Sequence, residues 1–135
     1  MDFTYPLTGI VTIVSLLIYV WMAMQIGKAR GQHSVPAPST DGPEDFLRVL
    51  RVHGNTMEGL ILFIPALWLF ALTIGDIWAA LVGVAYPIGR LIYARGYYAA
   101  ADKRSTGFLI GFVSTIILLL GSLGALIMAT TGLYL

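Results

Sequence analysis

Four polar residues recur at helical spacing inside an otherwise apolar part of the sequence, and they are the first candidates for chemistry. Arg51, Asn55 and Glu58 are spaced i, i+4 and i+7, and Arg48 lies one turn before them. Residues with this spacing share one face of an α-helix. Ionisable residues in an apolar helix are costly and usually face a cavity or a partner, so this first stripe predicts a binding site for a polar ligand.

A second polar stripe lies on the next predicted helix. Tyr86, Arg90, Tyr93 and Tyr97 are spaced i, i+4, i+7 and i+11, so they also share one face. Because antiparallel helices would place both stripes at the same depth, we expect the two stripes to meet and to line one site together.

The charges around this site predict an anionic ligand. Planar guanidinium groups bind carboxylates through paired hydrogen bonds, and Glu58, the one nearby acid, would suit an amine on the same ligand. Asn55 and the tyrosine hydroxyls would fix the orientation of that ligand. The sequence therefore predicts a zwitterionic, acid-rich small molecule. The arginines expected near the site are Arg30, Arg48, Arg51, Arg90 and Arg104.

A purely structural interpretation of the same residues stays open. Glu58 would then pair with Arg51 or Arg90 and lock two helices together, and the tyrosines would belong to the aromatic belt at a membrane surface. One ion pair is enough for such a lock, so this interpretation leaves most of the arginines unexplained.

The composition limits the sulfur and metal chemistry of the protein's own residues. The chain contains no cysteine, which excludes disulfides, thiolate metal ligands and a cysteine nucleophile. Any reactive sulfur must therefore come from a ligand. His53 lies on a different helix face from Asn55 and has no second ligand at i+4, so we predict no metal site.

Hydropathy identifies the elements that position these residues. The chain has 135 residues, of which 58% are apolar and 11% charged, with a mean hydropathy of +0.84. A soluble domain has roughly 45–50% apolar and about 25% charged residues. A net charge of +1 is too small a basic surplus for a protein that binds nucleic acid.

About 20 apolar residues cross a bilayer as a helix. The sequence predicts a single all-α domain over residues 1–135, an antiparallel membrane bundle with spans at about 4–27, 44–74, 77–98 and 105–133 and a proline-rich loop at 28–43.

The basic residues predict how this multi-pass membrane protein is oriented. All eight Lys and Arg residues fall at one end of the predicted bundle, whereas Asp2 and Asp76 fall at the other. Because basic residues are enriched on the cytoplasmic side, we expect the polar site to lie toward the cytoplasm and both termini to lie on the outer side.

Two sequence elements, RVHGNTME over residues 51–58 and RLIYARGY over residues 90–97, resemble the MAPEG family. The family name abbreviates membrane-associated proteins in eicosanoid and glutathione metabolism. The resemblance extends from Arg30, after the first span, to the Arg104–Ser105 step at the start of the fourth. It therefore covers nearly the whole chain.

The resemblance implies a homotrimer that binds glutathione, as co-substrate, between neighbouring subunits near the cytoplasmic side. The residues that match glutathione contacts in the family are Arg30, Arg51, Asn55, Glu58, Tyr93 and Tyr97. Arg104 matches an arginine that stabilises the thiolate, and Ser105 matches a serine beside the sulfur. The implied activity is transfer of glutathione to hydrophobic electrophiles, or reduction of lipid hydroperoxides. The electrophile or the hydroperoxide would reach the site from the membrane lipid.

The resemblance leaves the branch of the family and two other functions open. Gly31 and Gly59 replace an arginine and a tyrosine of the leukotriene-forming branch, whereas His53 and Met57 are closer to the glutathione transferase and prostaglandin synthase branches. One alternative is a non-catalytic lipid-binding scaffold resembling 5-lipoxygenase-activating protein, in which the acid matching Glu58 is shortened. The other is a small transporter, although no internal repeat is visible.

Overall fold

The structure is a computed structural model, and it describes residues 2–132. Within that range it contains five α-helices, one 3₁₀ turn and no strand. Four helical stretches are long and apolar enough to cross a membrane, which confirms the predicted all-α membrane bundle. The elements are α1 (Pro6–His33), α2 (Glu44–Thr73), α3 (Asp76–Gly83), α4 (Ala85–Ala99), the 3₁₀ turn (Ala101–Arg104) and α5 (Ser105–Thr130).

The first helix is longer than the sequence predicts. The expected break at Lys28 is wrong, because α1 continues to His33. Lysine, alanine, arginine and glutamine are all good helix formers, and the first proline comes only at position 36. The helix ends at Ser34, which has a left-handed φ of 54° and donates its backbone N–H to the Arg30 carbonyl. The connecting loop is therefore shorter than predicted.

The third membrane crossing is one helical stretch, Asp76–Ala99, with a local irregularity at Val84. One helix was expected over 77–98; α3 ends at Gly83 and α4 begins at Ala85, and Val84 between them keeps right-handed helical angles of φ −61° and ψ −24°. Pro87 has no N–H and cannot donate to the carbonyl of Gly83, one helical turn earlier. The Ser114 hydroxyl of α5 donates to the neighbouring Val82 carbonyl at 2.8 Å. The irregularity thus lies where a side chain from another helix supplies a hydrogen bond.

Glycines bring α4 and α5 into backbone contact. A Cβ atom added at Gly107 would lie 2.6 Å from the Gly89 carbonyl oxygen, and one added at Gly89 would lie 2.9 Å from the Gly111 nitrogen. Small residues at this spacing allow membrane helices to approach closely. Gly107 and Gly111 therefore allow close helix packing, and their partner is α4 of the same chain.

Asp76 joins the helices at the end of the bundle opposite the basic residues. Its carboxylate accepts hydrogen bonds from the Leu7 N–H at 3.0 Å and from the Thr8 N–H and hydroxyl, both at 2.7 Å. The residue before α1, Tyr5, makes no side-chain cap of its own. Asp76 therefore satisfies amide groups that a helix N-terminus leaves without partners, although it comes from another helix.

The tyrosines of the second stripe belong to the core. Tyr93 and Tyr97 are buried and pack with Met22, Val52 and Ala94. Residues of an aromatic belt at a membrane surface would instead face lipid headgroups. The aromatic-belt interpretation is therefore wrong for these two tyrosines, which form the floor beneath the polar residues of α2.

Candidate functional site

A groove runs between α2, α4 and α5 and contains most of the residues singled out in the sequence. One part of it is a cavity of about 420 Å³. An adjoining cavity of about 460 Å³, toward the basic end of the bundle, includes Arg104 and Ser105. Both cavities share Asn55, Tyr93 and Phe108, so we treat them as one feature, the α2–α5 groove. Its remaining polar residues are Glu58, Tyr86, Arg90 and Thr115.

The two polar stripes meet inside this groove. The Asn55 amide nitrogen donates to the Tyr93 hydroxyl at 2.8 Å. This hydrogen bond joins α2 to α4, as the antiparallel arrangement predicts. It also holds the Asn55 amide in one orientation, so the amide oxygen is left to accept from a ligand.

Arg90 lies at the back of the groove and is only 5% exposed. Its guanidinium carbon lies 4.7 Å from the ring centre of Tyr93 and 5.4 Å from that of Tyr86, so the cation is held by two aromatic faces. Among the residues that the structure describes, its Nε and Nη1 atoms have no hydrogen-bond partner. A buried cation with unused donors is therefore part of the groove wall.

Gly59 makes room for this arrangement. A Cβ atom at position 59 would lie 2.7 Å from the Tyr86 hydroxyl oxygen and 2.8 Å from Arg90 Nη2. These two polar groups thus reach the groove wall in the space that a side chain would fill. From the sequence, Gly59 was noted only as a difference from one branch of a family. In the structure, the missing side chain leaves space for Tyr86 and Arg90.

A second arginine, Arg104, lies at the basic end of the groove and packs over the ring of Tyr97. The Arg104 guanidinium lies 5.5 Å from the ring centre of Tyr97, and its Nη1 donates to the Ala101 carbonyl at 3.2 Å. Ser105 is the first residue of α5. A cation, a hydroxyl and the positive end of a helix dipole therefore share one location, which favours an anion.

Glu58 forms no ion pair within residues 2–132. The ion pairs in that range join Arg48 to Asp45 and Arg51 to Glu44, the latter at 3.9 Å. The hypothesis that Glu58 locks two helices through Arg51 or Arg90 is therefore wrong for a single subunit. Glu58 is exposed and lines the groove, so its carboxylate is left available to a ligand.

Three of the predicted binding arginines, Arg30, Arg48 and Arg51, are not among the residues that line the groove of their own subunit. Arg30 donates to the Ser39 carbonyl at 2.7 Å and lies over the Phe46 ring at 5.3 Å, so it orders the loop after α1. Arg48 pairs with Asp45, one turn earlier on α2. The structure therefore does not bring Arg30 and Arg48 together with Asn55 and Glu58 in one chain.

His53 packs away from the groove. Its ring stacks on Tyr19 of α1, with ring centres 4.5 Å apart and an interplanar angle of 18°. This agrees with the prediction that His53 faces in a different direction from Asn55. In the described part of the chain, no three acidic or histidine side chains lie close enough to hold a metal ion together.

The apolar wall that α5 contributes is not evident from the sequence. Phe108 and Phe112 stack with ring centres 5.7 Å apart and line the groove beside Ile116 and Leu119. Their spacing of four residues is the signal that would have revealed this wall, but it is hidden in a helix that is apolar on every face. The groove is therefore polar at its basic end and apolar along α5, so it can hold a charged ligand next to a hydrophobic one.

The sequence is similar to those of known proteins. The profile of the MAPEG family matches residues 8–124. The chain is 44% identical over 115 residues to an uncharacterized protein of Synechocystis, sll1147, which covers 85% of this chain and 84% of that protein. It is 36% identical over 119 residues to microsomal glutathione S-transferase 2 of Homo sapiens, covering 87% and 81%. It is 36% identical over 100 residues to leukotriene C4 synthase of Mus musculus, covering 74% and 67%.

Proposed function

This chain belongs to the MAPEG family, and from that premise we propose that it is a membrane-bound glutathione transferase. The observation that carries the proposal is the α2–α5 groove, in which Asn55, Tyr93, Arg104 and Ser105 line one cavity. The similarity to microsomal glutathione S-transferase 2 over 87% of the chain supports it. The groove thus joins a polar site suited to glutathione to an apolar wall suited to a second substrate.

Glutathione is a zwitterion with two carboxylates and one amine, and the exposed polar face of α2 fits that chemistry. Arg51 would bind a carboxylate, and Glu58 would bind the amine. Asn55, held by Tyr93, would accept from or donate to a peptide group of the ligand. Tyr97 supports Arg104 from below and closes the floor of the site. Each kind of group on the ligand therefore has a complementary side chain.

Arg104 and Ser105 would favour the glutathione thiolate over the thiol. A free thiol of this type has a pKa of about 8.5, so only a few per cent is ionised at neutral pH. The Arg104 cation, the Ser105 hydroxyl and the N-terminus of α5 all stabilise an anion. The thiolate sulfur then attacks an electrophilic carbon, a carbon–sulfur bond forms, and the bond to the leaving group breaks with its electron pair. Reduction of a lipid hydroperoxide by the same thiolate stays a prediction.

The complete site requires more than one copy of the chain. Arg51, Asn55 and Glu58 are all exposed in a single subunit, although they lie on a helix that can cross a membrane. Charged groups facing lipid are costly, so a second copy is expected to cover them. We therefore propose a homotrimer in which Arg30 and Arg48 of one subunit approach the groove of its neighbour. The basic end would face the cytoplasm, with both termini on the outer side.

The test is direct binding of glutathione to the detergent-purified protein, measured by calorimetry, beside a transferase assay with a hydrophobic aryl halide. The parent protein should bind glutathione and form the conjugate. Glu58→Gln keeps the shape but removes the charge, and we expect glutathione to bind about 10-fold more weakly, as for a lost charge-assisted hydrogen bond. Gly124→Ala is the control, because a Cβ atom there contacts nothing. If the protein does not bind glutathione at millimolar concentration, the transferase proposal is wrong and the lipid-binding scaffold is favoured.

A further inference from the structure

Three basic residues at the basic end of the bundle are not used by the site described above. Lys28, Arg95 and Lys103 are exposed, and they form no ion pair within residues 2–132. Two of them, Lys28 and Arg95, belong to helices that contact each other, α1 and α4. We propose that the seam between α1 and α4 at this end binds an anionic phospholipid of the surrounding membrane.

The α1–α4 seam lies on the opposite side of the bundle from the α2–α5 groove. Helix contacts run from α1 to α2, from α2 to α5, from α5 to α4 and from α4 back to α1. The half-buried rings of Trp21 on α1 and Tyr98 on α4 mark the seam, with ring centres 6.1 Å apart. Trp and Tyr are enriched where a membrane meets water. The seam is therefore separate from the site proposed for glutathione, and its aromatic pair suits the depth of lipid headgroups.

Helix α1 contributes a polar stripe that begins at Trp21. Gln25, Lys28 and Gln32 follow Trp21 at spacings of four, seven and eleven residues, so the four residues share one face of α1. At 1.5 Å per residue, Lys28 lies about 10 Å beyond Trp21. The stripe therefore leads from the aromatic pair toward water and carries amides and one ammonium group.

Helix α4 contributes an apolar stripe that ends at Arg95. Ile88, Leu91 and Ile92 are exposed and share one face of α4 with Arg95. Arg95 lies three residues before Tyr98, about one turn deeper in the membrane. A long arginine side chain at this depth extends its guanidinium toward the headgroups. Toward the basic end, the surface of the seam thus changes from hydrocarbon to a guanidinium and then to the polar groups of α1, which is the order of acyl chain, phosphate and headgroup in a phospholipid.

The charges along the seam determine which phospholipid fits. Every phospholipid has a phosphate that Arg95 can bind. Lys28 lies farther out, where the rest of the headgroup would be. A choline or ethanolamine headgroup would bring a second cation there, whereas a glycerol headgroup would bring hydroxyls. Asp102, the one acid between α4 and α5 in the sequence, forms no ion pair within residues 2–132. The seam therefore favours a lipid with a net negative charge.

The experiment compares phosphatidylglycerol with phosphatidylcholine of the same acyl chains. Each lipid is titrated into the detergent-purified protein, and the bound lipid is counted by native mass spectrometry. The parent should bind phosphatidylglycerol about fivefold or more tightly. Millimolar inorganic phosphate should not displace it, because phosphate has no acyl chain. Displacement by phosphate would make the seam an anion site rather than a lipid site and would overturn the proposal.

Three substitutions test the two cations separately, and one control matches them. Arg95→Gln should weaken both lipids, since both carry a phosphate. Lys28→Gln should bring the two affinities close together, and Lys28→Glu should make phosphatidylcholine the preferred lipid. Lys103→Gln removes an exposed cation from the same end and should keep the parent preference. The backbone of Lys103 packs against Gly96, which lies about 200° around α4 from Tyr98.

Thermal unfolding distinguishes lipid binding from a structural role. Because Lys28 and Arg95 form no ion pair, their variants should unfold at the parent temperature in detergent without added lipid. Added phosphatidylglycerol should raise the unfolding temperature of the parent more than that of Lys28→Glu, since a ligand stabilises the folded state that binds it. The proposal is overturned by a parent without a lipid preference, by a Lys28→Glu variant that keeps the parent preference, or by Lys103→Gln losing it as fully as Lys28→Gln. Glutathione affinity should be the same in all these variants, so this test stands apart from the proposed transferase function.

Discussion

Replacing Arg104 by alanine tests the proposed activation of the thiol most directly. Its guanidinium is held over the Tyr97 ring and hydrogen-bonded to the Ala101 carbonyl, at the N-terminus of α5. The cation is therefore fixed where the sulfur is proposed to bind. An opposite charge at 4–6 Å lowers a pKa by about 1–3 units, and the low end applies because Arg104 is exposed in one subunit.

The expected size of the effect follows from these contributions. Starting from a thiol pKa of about 8.5, Arg104 would lower it by about one unit and the helix N-terminus by about half a unit more, to about 7. Arg104→Ala keeps the helix and would leave the pKa at about 8. At pH 7 the ionised fraction would then fall from about half to about one tenth, which is a roughly fivefold loss. At pH 9 both proteins would hold almost only thiolate, so the difference would disappear.

The assay is a pH titration of the ultraviolet absorbance of the thiolate in the glutathione complex, with turnover measured across the same range. Arg104→Lys is the control because it keeps the charge and should titrate close to the parent. Glutathione affinity should stay within about threefold in both variants. Identical titration curves for the parent and Arg104→Ala would refute the reasoning, as would a turnover defect that persists undiminished at pH 9.

Three further predictions concern the scaffold and its orientation. Asp76→Ala should unfold at a lower temperature than the parent, with Asp76→Asn in between because its amide oxygen can still accept one hydrogen bond; equal melting of all three would contradict the capping role. Gly107→Ala should destabilise the bundle by about 1–3 kcal/mol, because a Cβ atom meets the Gly89 carbonyl oxygen at 2.6 Å, whereas Gly124→Ala should not. Tags on either terminus should be reached from outside intact cells, and tags found only after permeabilisation would reverse the predicted orientation.

The sequence predicted the helices well because lipid imposes a simple rule. A bilayer accepts long apolar helices, so four long, largely apolar stretches were enough to identify four crossings. Their ends were harder to predict, because they depend on single residues. Good helix formers extended α1 beyond Lys28, and the third crossing is irregular at Val84, three residues before Pro87.

The site was predictable where polar residues stand out against an apolar background. Asn55 and Tyr93 were expected at the same depth, and they form a hydrogen bond. The apolar wall on α5 was not predictable, because Phe108 lies in a helix that is apolar on every face. The role of Gly59 was also hidden, since a missing side chain gives no signal until its neighbours, Arg90 among them, are placed in space.

The hydrogen bonds to Asp76 also constrain the order of assembly. The Leu7 amide is bonded to a carboxylate 69 residues later in the chain, so α1 is synthesised before its cap. Until then the first turn of α1 would keep exposed amides, and only Asp76, the first residue of α3, could satisfy them. We expect insertion of the first helix to be provisional until the third segment is made, so chains truncated before Asp76 should be the ones that quality-control proteases remove.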